Sequence, residues 1–180
     1  YLGDKLKHNS YLKSLIISFA EKFNIPFSTS WFAKGLFDEY HPLSLGSYNG
    51  IFSQNYGRTY IEEKVDYVLE VATSIYAQDS NTAFGTGTHR IEDFDNKTVL
   101  KGGTILERDI VQVFEHLLKA DIRSGAFEKP KYEYTALASS VSDDDDIDFD
   151  TLAATLNSLQ ASNSRAFIYL PEVGNSYFAS

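Results

Sequence analysis

The chain has 180 residues, and its 16 basic and 25 acidic side chains leave a formal charge of −9, which argues against a partner such as nucleic acid or an anionic membrane that needs a basic face. Hydrophobic residues make up 43% and aromatic residues 14%, enough for a packed core and too much for a chain disordered throughout. Without cysteine there is no disulfide framework, no Cys-based zinc site and no thiol nucleophile.

The sequence opens on Tyr1 and contains no methionine, so it reads as a piece of a longer protein. No apolar run approaches the roughly 18 residues of a membrane span, and a soluble, cytoplasmic protein is the default expectation. Tyr1-Leu2-Gly3-Asp4 reads as the end of a strand. A strand cut short there is expected to leave a sheet edge unpaired, to be covered by a partner chain or by further residues. Leu12, Leu15, Ile16, Phe19, Ala20 and Phe23 follow helical spacing, and Asn24-Ile25-Pro26 ends that helix because proline disfavours helical backbone in the residue before it. Phe27 to Phe32 predicts a short strand, and Lys34 to about Tyr56 a long loop. Thr59 to Glu62 fits a capping box and predicts a short helix over 59–64. Asp66 to Ala72 predicts a buried strand. Arg90 to Phe94 and Thr98 to Leu100 are weaker strand candidates. A second capping box, Thr104 to Glu107, precedes a helical stripe of Ile110, Val113, Phe114, Leu117 and Leu118. Alternating strands and helices predict an α/β fold with a parallel sheet covered by helices on both faces.

After Ala120 the composition turns to that of a linker, with Ser139-Ser140-Val141-Ser142 and then Asp143 to Asp146. Leu152, Leu156 and Leu159 predict another helix, with Asp148 or Asp150 as its N-cap. Ala166 to Leu170 reads as a buried strand. The domains expected are therefore 1–120, a linker over 121–146, and the start of a second α/β unit over 147–180.

The side chains that could carry chemistry mostly fail on spacing. Six aspartates between 143 and 150 invite calcium, but neither the Asp144 nor the Asp146 register puts glycine sixth, and Thr155 or Asn157 would stand where the closing glutamate belongs. A solvated linker explains them better. His8, His41, His89 and His116 form no paired metal motif, and no G-x-S-x-G elbow offers a nucleophile. Gly85-Thr86-Gly87 and Gly102-Gly103 lack the rest of a phosphate-binding fingerprint and fit turns. The stretch Lys34 to Pro42, continued by Gly46 to Gly50, reads by itself as a surface loop sealed by Tyr48 and Phe52.

In order, however, these segments resemble the middle domain of thiamine-diphosphate-dependent 2-keto acid decarboxylases, the pyruvate, phenylpyruvate and indolepyruvate decarboxylase group. The family's K-G-x-x-D-E-x-H-P and G-x-Y-x-G are matched by Lys34-Gly35, Asp38-Glu39, His41-Pro42, Gly46, Tyr48 and Gly50. Its next strand leads into D-x-N-T, matched by Asp66 to Ala72 and Asp79-Ser80-Asn81-Thr82. Its E-T-G-T-S-x-F segment, the first loop of the diphosphate-binding domain, is matched by Glu172, Gly174, Ser176 and Phe178. Ala33 and Ala72 stand where the family has glycine, and Val173 and Asn175 where it has threonine. Pro42 to Gly46 also resembles the acetohydroxyacid synthase branch.

The resemblance implies a three-layer, Rossmann-like middle domain followed by the first helix and strand of the cofactor domain. In the family the parent reaction is non-oxidative decarboxylation of a 2-keto acid to an aldehyde and carbon dioxide, with thiamine diphosphate and magnesium. The regions holding the family's catalytic glutamate, its histidines and its metal ligands are not in this sequence, so no catalytic or metal residue is assigned. Gly174, Asn175 and Ser176 are the implied cofactor contacts. The chain by itself is expected to be catalytically silent, to bind no cofactor alone, and to pair with the other domains of the same enzyme in a homo-oligomer, a dimer or tetramer. The alternative reading is a nucleotide- or flavin-binding Rossmann-like module.

Overall fold

The computed structural model describes residues 1–53, 55–73, 88–94, 97–100, 105–128 and 148–162. Two compact units separate, Tyr1–Lys131 and Tyr132–Ser180. The first is a mixed α/β fold built on a largely parallel sheet.

Helix α1 (Ser10–Phe23) begins at Asn9, whose side chain accepts from the Leu12 amide at 2.9 Å, and buries Leu12, Ile16, Ala20 and Phe23 as the spacing predicts. It ends at Asn24, which takes the left-handed conformation (φ 50°) that asparagine tolerates better than most residues. Strand β1 (Phe27–Thr29) follows and is shorter than predicted, because Trp31–Ala33 closes into a 3-10 turn.

The expected long loop contains a strand, β2 (Ser44–Ser47), parallel to β1. Ser-Leu-Gly-Ser has almost no β propensity. Its pairing is held by tertiary hydrogen bonds, from Ser28 Oγ to the Gly46 carbonyl at 2.7 Å and between Thr29 Oγ1 and Ser47 Oγ at 3.0 Å. Helix α2 (Asn55–Lys64) starts four residues before the proposed capping box, so Thr59 lies inside it and caps nothing. Strand β3 (Val68–Val71) falls within the predicted segment.

Strands β4 (Thr88–Phe94), β5 (Lys97–Leu100) and β6 (Ile105–Leu106) complete the ladder. The second capping box is also corrected. Helix α3 (Ile110–Lys119) is capped by Asp109, which accepts from the Gln112 amide at 2.8 Å, while Glu107 pairs with Lys97 across the hairpin at 2.9 Å. In the second unit, helix α4 (Phe149–Ser162) has Asp148 as its cap, accepting from the Thr151 amide at 2.7 Å. The predicted strand Ala166 to Leu170 lies outside the described residues.

The opening residues do not form an edge. Leu2 bridges β1 on one side and β3 on the other, parallel to both. Its amide donates to the Ser28 carbonyl at 2.9 Å and its carbonyl accepts from Ser30 at 2.8 Å, while Gly3 donates to Val71 and Val71 to Tyr1. The ladder therefore runs β2, β1, Leu2, β3, β4, β5, β6, with β3 and β4 parallel and the last two pairings antiparallel. The expected unpaired edge is overturned because Leu2 lies between β1 and β3 and is paired on both sides. Leu2, Leu6, Ile16, Phe27, Val71, Ile91, Ile110 and Phe114 form the main core, and Leu45, Tyr48 and Ile61 a second cluster.

Candidate functional site

In open α/β sheets ligands bind outside the carboxyl ends of the strands, where the strand order reverses. Here that point lies between Leu2 and β3. The chain leaves Leu2 through Gly3, where a Cβ would stand 2.2 Å from the Thr73 Cα. Glycine is therefore required for two backbones to pass, rather than for a phosphate to approach. A 3-10 turn over Asp4–His8 follows, with acidic Asp4 at its start, and α1 begins only at Ser10 under the Asn9 cap. A pyrophosphate would meet a carboxylate instead of free amides at this position.

Beside this crossing Glu70 is buried at the end of β3 and accepts from the Thr73 hydroxyl at 2.7 Å. The Tyr1 hydroxyl donates to the Tyr48 carbonyl at 3.1 Å. Burial first, and then the negative charge of Glu70, raise the Tyr1 hydroxyl pKa well above the ordinary tyrosine value. At the carboxyl ends of β1 and β2, Ser30 Oγ and Asn49 Oδ1 are buried without a hydrogen-bond partner among the described residues.

The segment that carries the family resemblance is engaged in folding contacts. Asp38 accepts from the Tyr40 amide at 2.9 Å and so closes a turn. His41 reaches Glu21 on α1 through Nε2 at 3.1 Å, accepts from the Leu43 amide at Nδ1 at 3.1 Å, and lays its ring against Phe27. Tyr48 is buried and donates to Glu62 at 3.0 Å, which Arg58 also binds. Sequence reasoning missed the joints from His41 to Glu21 and from Tyr48 to Glu62 because each partner lies in a different element. Gly46 and Gly50 have positive φ, which the spacing of the glycines did hint at.

Gly174, Asn175 and Ser176, the implied cofactor contacts, lie outside the described residues, as do Gly85-Thr86-Gly87 and Asp79 to Thr82. Among the described residues no group of three His, Cys, Asp or Glu side chains could hold a metal ion. These residues do not fit a diphosphate with its metal, so no step of thiamine chemistry is derived from them. The first unit does contain a cavity of about 710 Å³. It lies at the amino ends of β1 and β3, beside Tyr1 and Leu2, and Phe19, Tyr60, Ile61, Leu69 and Phe127 are among its largely apolar walls. Among the described residues no helix is long and apolar enough to cross a membrane.

A comparison with curated proteins finds no match. The family model described as thiamine pyrophosphate enzyme, central domain, matches residues 1–99, more than half of the chain. Leu2 and strands β1 to β4 fall within that span, and the chain belongs to the thiamine pyrophosphate enzyme central-domain family.

Proposed function

We propose that this chain is the structural middle domain of a thiamine-diphosphate-dependent 2-keto acid decarboxylase, silent in catalysis by itself. The observation that carries this reading is the use of Lys34–Gly50. The residues of the decarboxylase-like motif are the joints that tie β1, β2, α1 and α2 together, through His41 to Glu21 and Tyr48 to Glu62. A segment so occupied supports a scaffold role, one that spaces cofactor-binding domains and offers surface to them.

Thiamine diphosphate, held by other domains of the parent enzyme, would supply the electron sink for loss of carbon dioxide. The residues of this chain contribute rigidity. Magnesium, a cytoplasmic setting and a dimeric or tetrameric assembly are parts of the same proposal. The crevice at the switch point is the natural place for a nucleotide in such a sheet, but Asp4 and the missing glycine fingerprint disfavour that alternative.

Calorimetric titration of the chain with thiamine diphosphate and magnesium is expected to show no micromolar binding, and incubation with pyruvate no aldehyde. Either signal from the chain alone would overturn the scaffold reading. The longer enzyme that contains the chain should release aldehyde and carbon dioxide from a 2-keto acid. Formation of a ligated acetohydroxy acid instead would place it in the synthase branch.

A further inference from the structure

His41 stands at the entry to β2, and its two ring nitrogens do opposite jobs. Nδ1 accepts from the Leu43 amide at 3.1 Å, so it carries no proton, and the ring is the neutral form with its hydrogen on Nε2. That hydrogen is shared with the Glu21 carboxylate on α1, 3.1 Å away. The bond to Leu43 closes a turn over two residues, the span that an asparagine carbonyl ordinarily closes, and Pro42 between them has no amide hydrogen to add. The same turn is held by the Ser44 amide, which donates to the His41 carbonyl at 2.9 Å. The Leu43 carbonyl then accepts from the Phe27 amide at 2.9 Å, where the pairing of β1 with β2 begins. Leu43 is buried, so an amide left there without its acceptor is costly. The imidazole is 17% exposed, which leaves protons a route to it.

We propose that His41 is a proton-released clasp: the neutral ring holds Leu43 and α1 together, and a proton on Nδ1 frees the Leu43 amide and loosens the start of β2. With Nδ1 protonated both ring nitrogens donate, and two N–H groups would face each other at the Leu43 contact. Around the ring, Glu21 comes from α1 and Phe27 from β1. Its own turn carries Asp38, bonded to the Tyr40 amide, and Glu39, whose charge acts on Lys34. Glu21 keeps its bond to the charged ring, whereas the Leu43 amide can bond only the neutral one. The proton therefore breaks the turn and leaves the contact with α1 in place.

Nuclear magnetic resonance of the full chain tests this. At about pH 8 the ring nitrogens should report hydrogen on Nε2. Between about pH 8 and about pH 5, the range in which imidazoles ordinarily gain a proton, the protection of the Leu43 amide against exchange with water should fall about tenfold. Protection is taken relative to the unfolded rate at each pH, and the Ile16 amide inside α1 should hold its value. His41→Asn puts at the turn a carbonyl that gains no proton, so Leu43 should stay protected at both pH values. Hydrogen on Nδ1 at the higher pH, unchanged Leu43 protection in the unaltered chain, an equal fall at Ile16, or the same fall in His41→Asn would each overturn the proposal.

Discussion

Gly3 and Thr73 pass so closely that a Cβ on the glycine would lie 2.2 Å from the Thr73 Cα and 2.3 Å from the Ala72 carbonyl oxygen. The φ of Gly3, −101°, is open to any residue, so space and not torsion demands glycine there. The strand cannot step aside, because Gly3 donates to Val71 and Lys5 to Ala72. Gly3→Ala is therefore expected to lose about 3 kcal/mol of stability, read as a lower midpoint in urea unfolding with the slope unchanged.

Ala72, just beyond β3, sits at φ 56°, a left-handed conformation that costs an alanine roughly 1–2 kcal/mol. Related enzymes carry glycine at the matching place, as the sequence resemblance suggests. Ala72→Gly relieves that strain but gives up one buried methyl, worth about 0.8 kcal/mol. A net gain of about 0.5 kcal/mol is expected, seen as a small rise in the thermal midpoint. A fall would mean that the methyl matters more than the torsion.

His41 uses both ring nitrogens, one towards Glu21 and one for the Leu43 amide. His41→Ala should lower stability by about 1.5 kcal/mol, since it strands a partly buried amide as well as losing ring contact with Phe27. Glu21 is 57% exposed, so Glu21→Ala should cost much less. Equal losses in denaturant titrations would place the main interaction in the ion pair instead.

The Tyr1 hydroxyl gives the fold an alkaline limit. Its pKa is raised in the folded state by burial and then by Glu70, so the unfolded chain ionises first, from about pH 10. Stability from this group is complete below that pH and is lost as pH rises towards the folded value. Tyr1→Phe should cost about 1 kcal/mol at neutral pH, by losing the bond to the Tyr48 carbonyl. It should also decline less steeply than the parent above pH 10 when unfolding midpoints are compared.

Asp109 caps α3, and its replacement by alanine should cost about 1 kcal/mol of stability. Replacing Thr59, which the sequence marks as a cap but which lies within α2, should cost much less. Thermal unfolding of the two variants side by side checks the reassignment.

Much of the fold was legible in one dimension. The apolar stripe from Leu12 to Phe23 has the period of a helix and buries its face as expected, since an amphipathic period needs no knowledge of its partner. The order of Lys34-Gly35, Asp38-Glu39, His41-Pro42 and Tyr48 was enough to indicate the family, because such motifs are contiguous in sequence. The Asp148 cap could be read for the same reason, as its acceptor and donor are three residues apart. Other features arose from contacts between distant residues. Ser44–Ser47 became a strand only by lying beside β1, and Leu2 became central only because β1 and β3 close on it from either side. The Asn24 tie to Gly125 joins positions 101 apart in the chain. Local periodicity thus determined which segments are helical and contiguous motifs which family they resemble, whereas strand order, the crossing at Gly3 and the tie from Asn24 to Gly125 were decided by tertiary pairing, whose hydrogen bonds and close approaches leave no regular spacing in the sequence.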